Sequence, residues 1–291
     1  MSTARGSARR PGTEAAPLTE RSARVVVARK LTRRAGREKA GAFLAEGAQA
    51  VREALVAHRA GTAGLREAFT TAAFAERQPE LVADLLDGDV RVHEVTERAA
   101  ASLSETVTPQ GVVTVCDRLD VPVSAALAVR PPLVAVLVGI TDPGNAGTVL
   151  RVADAAGAGA VVFAGDSVDP FNGKAVRAST GSLFHLPIAR ERDVDSVLAA
   201  CRDAGLSPLG ADGHAAHDLA ASEARALLGR PTAWVFGSEA HGLPDELVAR
   251  LDSTVRVPIY GQAESLNLAT AAAVCLYASA REQREPGGVR G

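Results

Sequence analysis

The chain has few cysteines, and none is spaced for a disulfide framework or a zinc site. Cys116, Cys201 and Cys275 are the three cysteines among 291 residues, and no Cys-x-x-Cys pair occurs. Disulfide-rich secreted domains and structural zinc sites both need more, or more closely spaced, cysteines. This scarcity indicates a reducing compartment and predicts a cytoplasmic location. We also expect no metal, since the histidines have no zinc-site context.

Long hydrophobic runs are missing as well. The longest apolar run, LVAVLVGI at residues 133–140, has the length of a strand, whereas a membrane-spanning helix needs about 20 apolar residues. The start of the chain, MSTARGSARRPGTEAAPL, contains charge but no apolar core, which argues against a secretory signal. We therefore expect no membrane association.

Charge is distributed unevenly, although the net charge is only −2. Residues 1–40 contain 11 Lys and Arg against 3 Asp and Glu, whereas the remaining chain contains 21 against 31. A basic arm on an acidic body favours a polyanionic partner, and nucleic acid is the polyanion that we expect. For residues 1–20 we expect a disordered solubilising tail instead, because this stretch is rich in Ser, Gly and Pro and lacks periodicity. The predicted RNA contacts lie in ARKLTRRAGREK, residues 28–39: Arg29, Lys30, Arg33, Arg34 and Arg37.

The periodicity predicts two α/β domains. Residues 21–117 alternate short strands and helices, beginning with a strand at 42–47 and a helix at 48–59. Residues 118–132 contain three prolines and no clear period, and are interpreted as a linker. In 133–285, strands are expected at 133–140, 160–164, 183–188, 206–210, 232–236 and 254–259. Helices are expected at 144–157, 171–180, 193–204, 244–251 and 265–282.

Near-continuous apolar strands separated by amphipathic helices predict a parallel sheet covered on both faces. Ligands bind such sheets beyond the carboxyl ends of the strands. Three glycine-containing junctions follow strands there: GITDPGNAG, VFGSEAHGLP and VPIYGQAESLN. The helix after the third junction is expected to begin at Ser265 as its cap, with Asn267 in the first turn.

Common nucleotide-binding motifs do not fit these junctions. GAGAVVF, residues 157–163, has valine in place of the third glycine of a dinucleotide fingerprint and precedes a strand. GSEAHG, residues 237–242, lacks the lysine and hydroxyl that complete a P-loop. FGSEA is not a Gly-x-Ser-x-Gly nucleophile elbow.

Taken together, the junctions resemble the three signature motifs of the SpoU/TrmH family, RNA ribose 2′-O-methyltransferases of the SPOUT class. The matching stretches are DPGNAGTVLRVADAAGA (142–158), VFGSEAHGL (235–243) and VPIYGQAESLNLATAAAVCLY (257–277). Residues 29–117 resemble the RNA substrate-binding domain often attached to this family. The resemblance implies a C-terminal domain with a trefoil knot, S-adenosylmethionine as cofactor, structured RNA as substrate and a homodimer formed through the knotted domain.

The resemblance also implies roles for individual residues. The cofactor would lie against the backbone near Gly237, Val257, Ile259 and Leu266. Arg151 takes the family's catalytic position. A guanidinium is already protonated at neutral pH, however, so it does not readily accept a proton as a general base. We expect it instead to bind phosphate and stabilise developing alkoxide charge. The further residues assigned to the catalytic site are Asn145, which orients the arginine or ribose; Glu239, which ties the loops together; and Ser265 and Asn267, which contact nucleotide and position Arg151.

Plainer interpretations stay open at this point. Arg151 could simply pair with Asp154 on a surface helix. Asn145 could serve only to start that helix, and Gly237 could form a simple turn. The leading hypothesis is 2′-O-methylation of 23S ribosomal RNA, with transfer RNA as the alternative substrate. The remaining hypotheses are a non-catalytic RNA-binding or assembly protein, and a methyltransferase that acts on a base or on a substrate other than RNA. With 3% aromatic residues, base stacking is not expected to dominate RNA binding.

Overall fold

The computed structural model describes residues 16–221 and 224–284, which form two sheets flanked by helices. Most of the predicted basic tail, residues 1–15, lies outside this range. Residues 16–20 were expected to be part of that disordered tail, but Leu18 pairs with the strand end at Glu94 and Val95. No helix in the described ranges is long and apolar enough to cross a bilayer.

The N-terminal domain is a mixed four-stranded sheet in the order β1-β4-β2-β3, in which only the β2–β3 pair is parallel. Alternate strand residues point to opposite faces, so helices cover both. The helices α3 to α5 pack on one face, and α1 and α6 on the other. The elements are α1 (Ala23–Arg29), α2 (Arg34–Ala40), β1 (Ala42–Glu46), α3 (Ala48–Arg59), β2 (Leu65–Thr70), α4 (Ala72–Arg77), α5 (Pro79–Asp87), β3 (Arg91–Glu94), α6 (Glu97–Ser102) and β4 (Val112–Asp117).

The C-terminal domain is a parallel sheet in the order β10-β12-β9-β11-β6-β7-β8-β5. Its central strands are buried on both faces, because α8, α9, α11 and α13 cover one side and α7, α10 and α12 the other. The elements are β5 (Asp120–Val121), α7 (Val123–Ala126), β6 (Leu133–Val138), α8 (Pro143–Ala156), β7 (Ala160–Ala164), α9 (Gly173–Ser179), β8 (Ile188–Glu191), α10 (Val194–Asp203), β9 (Ser207–Ala211), β10 (His217–Asp218), α11 (Arg225–Leu228), β11 (Thr232–Phe236), α12 (Asp245–Val248), β12 (Ser253–Arg256) and α13 (Leu268–Arg284).

Three sequence predictions are wrong in detail. The segment 118–132 is not a structureless linker, since β5 forms the edge strand of the parallel sheet and α7 follows it. The strand expected at 183–188 begins only at Ile188, because the preceding apolar residues form a 3₁₀ turn, Ser182–Phe184. The last helix begins at Leu268 rather than at residue 265.

The two domains share one apolar core rather than meeting through a thin contact. Phe43 of β1 packs against Phe171, with ring centroids 4.9 Å apart, and against Phe184 at 6.0 Å. Both partners belong to the loops and turn around α9. The N-terminal domain is therefore held directly against the helix that neighbours α8.

Candidate active site

The amino end of α8 is fixed by a capping carboxylate. The Asp142 side chain accepts hydrogen bonds from the backbone N–H groups of Gly144 and Asn145, and Pro143 occupies the first helical position. Lys174 donates to the same carboxylate at 2.9 Å. The lysine, followed by the N–H of Asn145, lowers the pKa of Asp142. The cap thus stays ionised and holds Asn145 in the first turn.

Glu239, in the loop after β11, binds four donors at the neighbouring strand end. One carboxylate oxygen accepts from the N–H and hydroxyl of Thr141 at 3.2 and 3.1 Å. The other accepts from the N–H of Asp142 at 3.2 Å and from Nδ2 of Asn145 at 3.0 Å. Partial burial alone would raise the pKa of Glu239, but these donors lower it overall. Glu239 therefore joins two junctions as an ionised acceptor.

Asn267 completes the connection from the third junction. Its Oδ1 accepts from the N–H groups of Ala269 and Thr270 at 2.9 and 3.4 Å, so Asn267 caps α13. The expectation that Ser265 is the cap is wrong. Asn267 Nδ2 donates to Asn145 Oδ1 at 3.0 Å. Since a carboxylate only accepts and a backbone N–H only donates, this chain of contacts fixes the orientation of both amides. We call Asn145, Glu239 and Asn267 the amide frame.

The segment 257–266 leads directly into Asn267 of this frame and leaves its main chain unbonded. None of its N–H or C=O groups forms a hydrogen bond with another residue in the described ranges. Because most of the segment is exposed, its N–H and C=O groups can hydrogen-bond water or a ligand. Val257 is half-buried against the core, whereas Ile259, Ser265 and Leu266 are exposed.

Gly237, at the end of β11, is required by the loop itself. A Cβ atom there would lie 2.1 Å from the carbonyl oxygen of Gly242, because Ser238 and Gly242 pair across the loop. The geometry of the loop alone therefore requires glycine here, independently of any cofactor near its backbone. The tight loop is what presents Glu239 to the neighbouring strand end.

Arg151 is not part of the amide frame within one chain. It lies six residues after Asn145, which on a helix is about 9 Å further along the axis and on a different face. Its Nη1 donates to Thr180 Oγ1 at 3.4 Å, at the end of α9. It is exposed and does not pair with Asp154, which binds His185 instead. The expectation that Ser265 and Asn267 position Arg151 is thus wrong for a single chain.

The predicted RNA-contacting residues fall into two groups. Arg29, Lys30 and Arg33 are exposed around a 3₁₀ turn, and Arg34 is exposed but paired with Glu38. Arg37 is only 3% exposed. Its guanidinium binds Asp169 at 2.8 Å and the carbonyls of Leu31 and Thr32 at 3.0 Å. Arg37 is therefore an internal ion-pair residue linking the domains, and the expectation that it binds RNA is wrong.

Sequence reasoning missed Asp142, Lys174 and Thr180. Asp before Pro at a helix start is a recognisable capping signal, so Asp142 was accessible from sequence. Lys174 and Thr180 reach the site only through the close crossing of α8 and α9. A Cβ on Gly147 would lie 2.2 Å from a carbonyl oxygen of α9. In the part of the chain that the structure describes, no group of three or more potential ligands is arranged to hold a metal.

Comparison with known families matches both domains. The SpoU rRNA methylase family matches residues 132–277, and the MRM3-like substrate-binding domain matches residues 23–114. The predicted family and fold class are thereby confirmed.

Individual relatives match over nearly the whole chain. The 23S rRNA (guanosine(2553)-2′-O)-methyltransferase RlmP of Bacillus subtilis is 32% identical over 252 residues, covering 86% of this chain and 92% of the relative. The AdoMet complex of the SpoU methyltransferase AviRb from Streptomyces viridochromogenes superposes with a TM-score of 0.75 at 30% identity, covering 90% and 98%. An AdoMet-bound rRNA methyltransferase from Sinorhizobium meliloti gives 0.74 at 28%, covering 89% and 94%.

Proposed function

The chain belongs to the SpoU rRNA methylase family, and we propose that it transfers a methyl group from S-adenosylmethionine to a ribose 2′-hydroxyl of 23S ribosomal RNA. Its relatives that act on 23S rRNA include RlmP and the guanosine 2′-O-methyltransferase RlmB of Bordetella pertussis. The observation that supports this most strongly is the amide frame, which joins all three junctions next to a segment with unbonded main chain. Transfer RNA is the alternative substrate.

The residues present fit the cofactor. Unpaired main-chain groups in 257–266 suit the polar edge of an adenine and an amino acid, and Ile259 and Leu266 offer apolar contact. Gly237 holds the loop that borders them. The cofactor supplies an electrophilic methyl group on a sulfonium sulfur. The protein's task is then to orient the ribose hydroxyl, for which fixed positions can contribute roughly 7–11 kcal/mol.

Arg151 binds RNA phosphate and stabilises negative charge that develops on the ribose oxygen. A guanidinium with a pKa above about 12 keeps its charge throughout this step and donates two parallel hydrogen bonds to an anion. Asn145 and Asn267 hold the ribose, and Ser265, whose hydroxyl is exposed beside the frame, contacts the nucleotide.

A homodimer brings Arg151 to a frame that it does not reach within one chain. Part of the C-terminal domain surface is apolar and exposed, including Val274 and Tyr277 on one face of α13 and Tyr260 in the preceding segment. Exposed apolar patches of this kind favour an interface. Each active site would then combine one chain's amide frame with the other chain's Arg151.

The knotted threading is part of the same proposal. β12 is separated from β11 by β9, yet Asn267 returns to the carboxyl end of β6 within 11 residues. The segment 257–267 must therefore cross the ends of β9 and β11 before α13 packs against the sheet, and this path is compatible with the expected knot.

RNA reaches the site from the N-terminal domain, where Arg29, Lys30 and Arg33 are exposed and form no ion pair with another described residue. Arg34 extends this surface once its pair with Glu38 opens, since an exposed pair contributes only about 0.2–1 kcal/mol. Phosphate contacts of this kind give affinity and orientation rather than sequence choice.

Methyl transfer tests the proposal directly. The purified chain is incubated with tritiated S-adenosylmethionine and ribosomal RNA, and the product is digested to nucleosides to locate the label. We expect label in a 2′-O-methylated nucleoside of 23S rRNA. Arg151→Lys should lose most turnover while retaining cofactor affinity by calorimetry. Label on a base, label in transfer RNA alone, or no transfer would each contradict the proposal.

A further inference from the structure

Arg151 and Asp154 lie three residues apart on α8, where oppositely charged side chains normally pair. They do not pair here. The guanidinium of Arg151 contacts Thr180, and the carboxylate of Asp154 accepts from Nδ1 of His185 at 2.8 Å. The contact with His185 therefore competes with the pairing of Asp154 and Arg151 that the helix spacing predicts.

His185 lies between two carboxylates that come from different domains. Its Nε2 contacts Glu53 on α3 at 3.1 Å, while its Nδ1 contacts Asp154 on α8. Since carboxylates only accept, both ring nitrogens donate when the imidazole is protonated. Partial burial opposes protonation, but the hydrogen bonds to Asp154 and Glu53 raise the pKa of His185 overall. We call Asp154, His185 and Glu53 the domain clamp.

The backbone next to the clamp is shaped to admit Glu53. Gly181 has φ +98°, and a Cβ atom there would lie 2.4 Å from Cγ of Glu53. A residue other than glycine would push α3 away from His185. Thr180, beside it, has φ +51°, an unusual conformation for a β-branched residue, and it presents its hydroxyl to Arg151. Gly181 thus leaves room for Glu53, and the neighbouring Thr180 contacts Arg151.

We propose that His185 and Glu53 are positioning residues that occupy Asp154 and so keep Arg151 free for RNA. This inference rests on the role proposed for Arg151 above. Because Glu53 belongs to the substrate-binding domain, docking of that domain prepares the arginine on the methyltransferase domain. Without the clamp, Asp154 turns to Arg151, neutralises part of its charge and draws it from the anion.

The test is a rescue experiment on the full chain. His185→Ala frees Asp154 and should lower kcat/KM for RNA by about two- to fivefold, the effect of one added ion pair on an exposed arginine. The same substitution combined with Asp154→Asn has no carboxylate to release, so its kcat/KM should return to that of Asp154→Asn alone. Cofactor affinity should stay constant across the series.

Glu53→Gln is a second, milder route to the same effect, because it preserves packing against Gly181 while weakening the hold on His185. Its smaller loss should also be rescued by Asp154→Asn. Melting temperatures are recorded for every variant, so that a His185→Ala chain that does not fold leaves the Glu53→Gln pair as the deciding comparison.

Outcomes separate this inference from the function on which it rests. A wild-type chain that transfers no methyl group overturns the proposed function and the clamp together. An Arg151→Ala chain that remains fully active leaves the methyl-transfer function standing, but overturns the role of Arg151 and with it the clamp. An active wild type with an inactive Arg151→Ala chain, but no rescue by Asp154→Asn, overturns the clamp alone. Equal activity of His185→Ala and wild type does the same.

Discussion

Replacement of Glu239 by glutamine tests the amide frame most sharply, because it keeps the shape and removes the charge. The carboxylate accepts from Thr141 through one oxygen and from Asp142 and Asn145 through the other. A glutamine amide has one oxygen and one NH₂ group. Whichever way it turns, the NH₂ group faces a backbone N–H, so at least one donor loses its partner.

The expected cost follows from these contacts. A hydrogen bond to a charged group contributes about 1.5–3 kcal/mol and one to a neutral group about 0.5–1.5 kcal/mol, and an exposed site lies at the lower end. We expect Glu239→Gln to destabilise the chain by about 2 kcal/mol. For a domain of 150–250 residues this corresponds to a melting temperature about 4–8 °C lower. The freed Asn145 should reduce kcat/KM by about ten- to a hundredfold.

The contribution of Glu239 to stability should change with pH in a defined direction. The pKa of Glu239 is lowered in the folded chain, so its contribution is present above its ordinary value of 4.5 and is lost as pH falls through the folded value. The difference in melting temperature between wild type and Glu239→Gln should therefore persist at pH 7 and shrink at strongly acidic pH.

Glu246→Gln is the matched control, because it removes the same charge from α12, where the side chain is exposed and has no hydrogen-bond partner in the described ranges. Scanning fluorimetry and tritium transfer are measured on both variants. If Glu239→Gln melts and turns over like Glu246→Gln, the frame is neither stabilising nor needed for catalysis.

Two further predictions contrast the buried and exposed members of the basic segment. Arg37→Met leaves Asp169 as an unpaired buried charge, so it should cost about 3–5 kcal/mol in the free energy of unfolding by denaturant; an unchanged midpoint would contradict this. We also expect alanine at Arg29, Lys30 and Arg33 together to leave the melting temperature within about 1 °C of wild type. The same triple variant should flatten the slope of log affinity for RNA against log salt by about two. A wild-type salt slope would place the RNA elsewhere.

The parallel sheet could be predicted because several of its strands are recognisable from the local sequence alone. Residues 160–164 and 232–236 are apolar runs of strand length between polar or glycine-containing turns, and both strands occupy those positions. The apolar run before Ile188 failed as a guide because a short run serves equally well as a strand or as a buried turn. There the packing of Phe184 against Phe43 of the other domain decides the conformation.

Roles of individual polar residues were less predictable, because distant partners determine them. Arg37 belongs to the same basic segment as Arg33 and Arg34, yet its ion pair with Asp169, 132 residues away, makes it an internal residue. Ser265 and Asn267 are equally good helix caps by type. The contact with Asn145, 122 residues away, selects Asn267 and moves the helix start by three residues.

The amide frame should keep the same geometry and charge across the neutral pH range. Asn145 and Asn267 do not titrate, and Glu239 stays ionised far below neutral pH, so the frame is the same at every pH at which RNA is structured. The amino ends of α8 and α13, which favour nearby negative charge, meet at this frame. Any titration of methyl transfer near neutrality must then arise outside it, from the substrate hydroxyl or from groups that govern Arg151. His185, held between Asp154 and Glu53, is such a group. The frame thus keeps one charge state, while the proposed control of the Arg151 guanidinium reaches it from the N-terminal domain through Glu53 and His185.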